Sequence, residues 1–179
     1  MRIESASAST PLSLLSYAQI SMHKTGLVMI TLGWLLIAGL LWWGFDRYLE
    51  PNADLSAGTA QGPILLKRSP DGHYAAPGRI NGQAVTFLVD TGASNVAIPL
   101  ATAQRLGLRS HRAQRSHTAN GEVVAYATRL ESVSLGGLAA QDVAGSILPN
   151  MQGDAVLLGM SFLSRFHISM RNDEMLIQP

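Results

Sequence analysis

The sequence predicts a mostly β protein, a small closed barrel with short helices, preceded by an N-terminal transmembrane helix. Three observations predict it. Residues 26–44, "GLVMITLGWLLIAGLLWWG", carry no charge. Beyond residue 62, two-residue turn signals recur between short β-type runs. Only two stretches of that part, one opening at Pro99 and one at Gly159, carry helical signals.

Residues 1–22 are rich in Ser and Ala without a clear period and read as a leader, disordered or weakly helical. The span follows, taken as residues 25–45. It is long enough for a hydrocarbon core of ~30 Å at ~1.5 Å per residue. Trp42 and Trp43 close it, where indoles favour the membrane interface. A cleaved signal peptide has a shorter apolar core, typically ~7–15 residues, with small residues close behind. Here the nearest small-residue candidates, around Gly58 and Ala60, lie well downstream. An uncleaved single-pass anchor is therefore expected. His23 and Lys24 before the span place the N-terminus in the cytoplasm and the C-terminal domain outside, although Arg47 follows the span. In a bacterium that is an inner-membrane protein with a periplasmic domain. Residues 46–61 have the Pro, Gly and polar composition of a linker.

Residues 62–179 form the folded domain. Asn81-Gly82 sits between β-type runs, a strong hairpin signal. Asn120-Gly121 repeats it, and Gly136-Gly137 and Asn172-Asp173 mark two further turns. Pro99 can open a helix that Gly107 closes. Met160, Leu163 and Phe166 stand at helical spacing.

Composition excludes several function classes. Net charge is +1, which gives nucleic-acid binding no support. There is no cysteine, hence no disulfide and no thiolate metal site. His111 and His117 are not at a zinc spacing, and His73 and His167 stand alone, so no metal is expected. Residues 105–117 gather four Arg and two His, which reads as a solvated basic face; the alternative is a surface for acidic substrate or lipid headgroups. Ser94 and Ser161 have no readable His-Asp arrangement, which argues against a serine hydrolase.

The chemistry concentrates at "VTFLVDTGASNVAIP". Asp90 ends an apolar strand and is followed at once by Thr91, Gly92 and Ala93. A carboxylate leaving an apolar run is costly unless it is hydrogen-bonded or has work to do. Gly92 lets the chain turn sharply, and Thr91 can brace the turn. Alone, Asp-Thr-Gly is also an ordinary turn.

With its surroundings, "FLVDTGAS" resembles the active-site loop of aspartic proteases in its retroviral form. The hairpin at Ala119-Asn120-Gly121 lies where that family has its flap, and Leu157-Leu158-Gly159 resembles the element that threads beside the catalytic loop. The resemblance covers most of residues 73–179. It extends to the membrane-anchored, retropepsin-like aspartic proteases of bacteria, with their "DTGA" loop, "ANG" flap segment and "LLGMSFL". It implies a retropepsin-like barrel, Asp90 as the catalytic carboxylate that activates water, peptide or protein substrates and no cofactor. The chemistry needs two carboxylates sharing a proton. Neither Asp142 nor Asp154 is followed by Thr-Gly or Ser-Gly. A homodimer supplying Asp90 twice is thus expected. A membrane-tethered dimeric binding or scaffold module that keeps the fold without turnover is the alternative.

Overall fold

The computed structural model describes residues 13–57, 62–110, 112–118 and 121–179. It divides into two compact units between Phe45 and Asp46. The first is dominated by helix α1 (Ser13–Leu49). Within α1, Gly26–Leu49 is long and apolar enough to cross a membrane. Its large side chains, Trp34, Leu35, Leu36 and Ile37 among them, are exposed on every side of the helix. A helix apolar all round has no polar face to offer water. Helix already runs through residues 13–22, half of the expected leader; residues 1–12 lie outside the described residues.

The second unit is built on a six-stranded closed barrel. Its strands run in the order β2 (Ala75–Ile80), β3 (Gln83–Val89), β8 (Val156–Leu158), β4 (Val96–Pro99), β7 (Leu138–Leu148) and β6 (Gly121–Leu135). β6 returns to β2 through Gly78↔Leu135, Arg79↔Ser134 and Ile80↔Val133. Closure removes the free edges that an open sheet would expose. It brings β2 and β6 close enough that a Cβ on Gly78 would strike the Ser134 carbonyl and the Phe87 ring. Phe87, Leu130, Val143, Val156 and Leu158 are fully buried in the barrel core. A second sheet stacks β1 (Ile64–Lys67), β10 (Glu174–Gln178) and β9 (His167–Arg171). Among the described residues β5 (Arg112–Thr118) pairs with β6 alone and prolongs it as a two-stranded hairpin.

The turns stand where Asn and Gly mark them. Asn81 and Gly82 both have positive φ, 49° and 80°, and join Ile80 to its partner Gln83. That is the conformation of a tight hairpin turn matched to strand twist. Gly136 and Asn172, with φ 53° and 55°, turn the β6–β7 and β9–β10 hairpins. In the hairpin expected at Asn120-Gly121, Thr118 pairs with Gly121; Ala119 and Asn120 lie outside the described residues, as does His111. Helix α2 (Leu100–Arg105) opens after Pro99 and ends before Gly107, which has φ 66°. Helix α3 (Met160–Leu163) is shorter than expected, and its buried residues are Phe162 and Leu163, whereas Met160 is exposed. Phe162 packs against Phe166 in a tilted arrangement, ring centroids 4.9 Å apart and planes at 46°.

The expected linker is different in kind. Residues 53–57 form a 3₁₀ turn (Ala53–Ala57), and Leu55 packs against the core. Asn52 is only 5% exposed. Its Nδ2 donates to the carbonyls of Lys67 and Ala75 at 2.8 Å each, and its Oδ1 accepts from the Lys67 N–H at 2.8 Å. Lys67 is on β1 and Ala75 on β2, so one amide pins the two sheets together. Composition marks this stretch as a tether because Pro, Asn and Ala are loop residues. Its anchoring comes from tertiary partners that composition does not reveal. Residues 58–61 lie outside the described residues.

Asn52→Ala should therefore lower stability by about 1–3 kcal/mol, since it strands buried backbone groups of both sheets. Chemical denaturation of the detergent-solubilised chain measures this. An unchanged midpoint would show that the segment is not part of the folded unit.

Candidate active site

β3 alternates as a half-buried strand should. Val85, Phe87 and Val89 point into the core, and Leu88 is half-buried on the other face. The Asp90 N–H donates to the Leu158 carbonyl at 3.2 Å, so the ladder to β8 continues one residue past the strand. Asp90 thus shares the non-core face with Leu88, and it is half-buried. The alternation that fills the barrel is what turns this carboxylate outward.

The turn after it is organised by the carboxylate. The Gly92 N–H donates to Asp90 Oδ1 at 2.8 Å, and the Ala93 N–H donates to the Asp90 carbonyl at 3.3 Å. Gly92 does not use a left-handed conformation. Its role is space: a Cβ there would lie 3.2 Å from Asp90 Oδ1. Thr91 is exposed at the head of the turn.

β8 lies between β3 and β4. The chain leaving β3 through Asp90 must therefore cross the end of β8 before it enters β4. It crosses at Gly159. A Cβ on Gly159 would lie 2.6 Å from the Ala93 carbonyl oxygen and would also strike that of Asn95. The crossing is stitched by the Met160 N–H to the Ala93 carbonyl, 2.8 Å, and the Ser161 N–H to the Ser94 carbonyl, 2.9 Å. The Ser161 hydroxyl accepts from the Val96 N–H at 3.2 Å and donates to the Ala144 carbonyl at 2.8 Å. The two ends of the Asp90–Ala93 loop are thus tied to this element, Asp90 to Leu158 and Ala93 against Gly159, while Leu157 pairs with Leu88 just before the loop.

The floor beside Asp90 is a single row of register partners. Leu88 pairs with Leu157, Leu157 with Ala97, Ala97 with Ser146, Ser146 with Ala127 and Ala127 with Arg112. Opposed residues share a face, so the row runs from the apolar pair by Asp90 to the β5–β6 hairpin. Within it, Ser146 Oγ accepts from Asn95 Nδ2 at 3.2 Å and from Gln114 Nε2 at 3.4 Å. Gly121 is exposed near the far end of the hairpin.

Asn95, Gln114, Ser146 and Ser161 are the residues that sequence reasoning missed or read only as a nucleophile to be dismissed. They lie far apart in the chain, and no local pattern marks a hydroxyl that will bond a distant backbone. The other carboxylates are placed elsewhere. Asp142 is bound by Arg129 across β6 and β7, and that hydrogen bond holds its pKa below the ordinary carboxylate value. Asp154 is exposed, and its backbone carbonyl accepts from Thr102 Oγ at 3.1 Å. Arg112 and Arg115 stand exposed on β5, with Arg115 4.0 Å from Glu122.

A family model described as "gag-polyprotein putative aspartyl protease" matches residues 76–165, from β2 through α3. An uncharacterized protein of Rickettsia prowazekii is 38% identical over 112 residues, 60% of this chain and 47% of that protein. An uncharacterized protein from the cobV 5′ region of a Sinorhizobium species is 32% identical over 119 residues, 64% of this chain and 51% of that protein. The chain spans about half the length of the curated relatives it matches. The crystal structure of a retropepsin-like aspartic protease from Rickettsia conorii is similar with a TM-score of 0.55 and 35% identity, covering 65% of this chain and 89% of that one.

The crossing yields a test independent of activity. Gly159→Ala should cost about 1–3 kcal/mol or more, because two backbone carbonyls must move to admit one methyl. Thermal or chemical denaturation reads it; stability equal to the parent chain would contradict the tight crossing.

Proposed function

Since the chain belongs to the gag-polyprotein aspartyl protease family and has the retropepsin-like fold, we propose that it is an aspartic endopeptidase, anchored in a membrane by α1, whose site is completed by a second copy of itself. The observation that carries this reading is the setting of Asp90. Its carboxylate faces away from the core, is oriented by the Gly92 N–H, and stands on a loop locked to β8. Asp142 is committed to Arg129, which leaves it a poor second acid. A C2 pair places Asp90 opposite Asp90.

The chemistry then follows from two carboxyl groups holding one proton. The charged carboxylate takes a proton from a water molecule, and the neutral one hydrogen-bonds the substrate carbonyl oxygen. The oxygen of that water bonds to the carbonyl carbon, the carbonyl π pair passes to its oxygen, and that oxygen takes the neutral group's proton to give a tetrahedral diol. The group that took the water's proton then passes it to the amide nitrogen, the other carboxylate takes one diol hydroxyl proton, the C–N bond breaks, and a carboxylic acid and an amine leave with one proton again on the pair. Thr91, exposed at the head of the turn, hydrogen-bonds the partner's loop in this reading. Gly92 and Ala93 shape the loop, while Leu157, Leu158 and Gly159 support it from below. The hairpin ending at Ala119, Asn120 and Gly121 covers the substrate. No cofactor or metal takes part. The protease domain comprises residues 62–179 together with the docked segment 52–57, and it lies on the periplasmic side of the inner membrane. Confinement to a plane raises the effective concentration of the second copy.

Asp90→Asn should reduce peptide hydrolysis by at least about 10²-fold, the scale of a lost acid–base group, with the melting temperature kept. A detergent-solubilised protein assayed on a mixed peptide library measures the first, and a thermal scan the second. Wild-type turnover in the variant would refute the assignment. A chain beginning at Asp46 should leave the membrane fraction; its continued sedimentation with membranes would refute the anchor.

A further inference from the structure

We propose that Gln114 is a positioning residue that latches the β5–β6 hairpin to the Asp90 loop through the hydroxyl of Ser146. The proposal rests on the protease reading for its kinetic meaning, but the latch itself is a property of the fold.

Among the described residues β5 has one ladder partner, β6, so the hairpin projects as a two-stranded ribbon. Such a ribbon is marginal by itself and takes its position from whatever its side chains reach. Gln114 is paired with Ala125, and the two share a face. Ala125 is fully buried and Gln114 half-buried, so the face they share, which continues that of Ala127 and Ser146 on the Asp90 side of the sheet, is covered rather than open. Arg115 and Val124, the next pair, are exposed on the opposite face. Ser146 lies on β7, 6% exposed, between Ala97 of β4 and Ala127 of β6. Its Oγ accepts one amide N–H from Gln114 of the hairpin and one from Asn95, the last loop residue before β4. One buried hydroxyl thus holds both the hairpin and the loop that carries Asp90. The Asn95 bond, at 3.2 Å, is at the long end of the usual hydrogen-bond range, and the Gln114 bond, at 3.4 Å, is longer. Releasing Gln114 frees the ribbon and leaves Asp90 in place, so the consequence falls on substrate retention.

The test uses the full-length chain in detergent. Hydrogen exchange is followed by mass spectrometry for Gln114→Ala, Ser146→Ala, the double variant and Ser146→Thr. In Gln114→Ala, amides of residues 112–118 and 121–127 should exchange about fivefold faster, with β3, β4 and β8 unchanged, the signature of local opening. The double variant should be no faster than the faster single variant, because both substitutions remove one interaction. Ser146→Thr, which keeps the hydroxyl, should exchange like the parent. With a fluorogenic peptide recovered from a mixed library, Gln114→Ala should raise KM about fivefold and change kcat less than twofold, the pattern of lost ground-state binding. Unchanged hairpin exchange in Gln114→Ala, additive effects in the double variant, or a fall in kcat at constant KM would each overturn the latch. If Ser146→Ala does not fold, Gln114→Ala alone decides. If the parent chain hydrolyses no peptide, the protease reading fails while the exchange data still judge the latch.

Discussion

The architecture of the site depends on one steric constraint, the passage of the Asp90 loop over Gly159. A strand lies between β3 and β4, so the connection between them must climb over its end. Two backbone segments can meet that closely only where neither side chain intervenes. The ladder bond from Asp90 to Leu158 and the bonds from Met160 and Ser161 to Ala93 and Ser94 then fix the loop on both sides of the crossing. With the backbone held this way, the carboxylate has little freedom, and a single N–H from Gly92 suffices to orient it. Pre-organisation of this kind precedes any chemistry, because a group held in place does not have to be ordered when substrate arrives.

The barrel divides labour between its faces. Phe87 and Val89 point inward with Leu158, and the next residue of the same alternation, Asp90, points out. Burying the first group is what exposes the second, so stability and site geometry come from one pattern. The polar ties work at the margins of this core. Asn52 joins the two sheets, Ser161 joins α3 to β4 and β7, and Ser146 joins the hairpin to the loop. Each is one short side chain bonding elements remote in sequence.

That division explains what could be read in the sequence. Period-2 alternation and Asn-Gly turns are local, and they mark the hairpins at residues 81–82, 136–137 and 172–173 because positive φ there is a property of those residues themselves. The Asp-Thr-Gly-Ala loop and Leu157-Leu158-Gly159 are short enough to stand out as strings, and the barrel brings them together. The docking of residues 52–57 was not legible: Pro51, Asn52 and Ala53 have the composition of a tether, and only Lys67 and Ala75 reveal that Asn52 is a peg. The role of Gly92 was half legible. Its small size matters, but to leave room for the carboxylate and not to adopt an unusual turn. The stripe expected on α3 failed at Met160 because the helix is barely one turn long, so helical spacing had no length over which to act.

The central claim is that two copies of Asp90 make one site, and mixing of chains tests it most directly. Wild type and Asp90→Asn are combined in equal amounts, and subunit exchange is verified by mass measurement. Each C2 site takes one Asp90 from each chain, so random pairing leaves about one quarter of dimers with two carboxylates. The account predicts activity near about one quarter of that of the same total amount of wild-type chain. Activity near one half would mean that each wild-type chain works alone with a second acid of its own, and would contradict it.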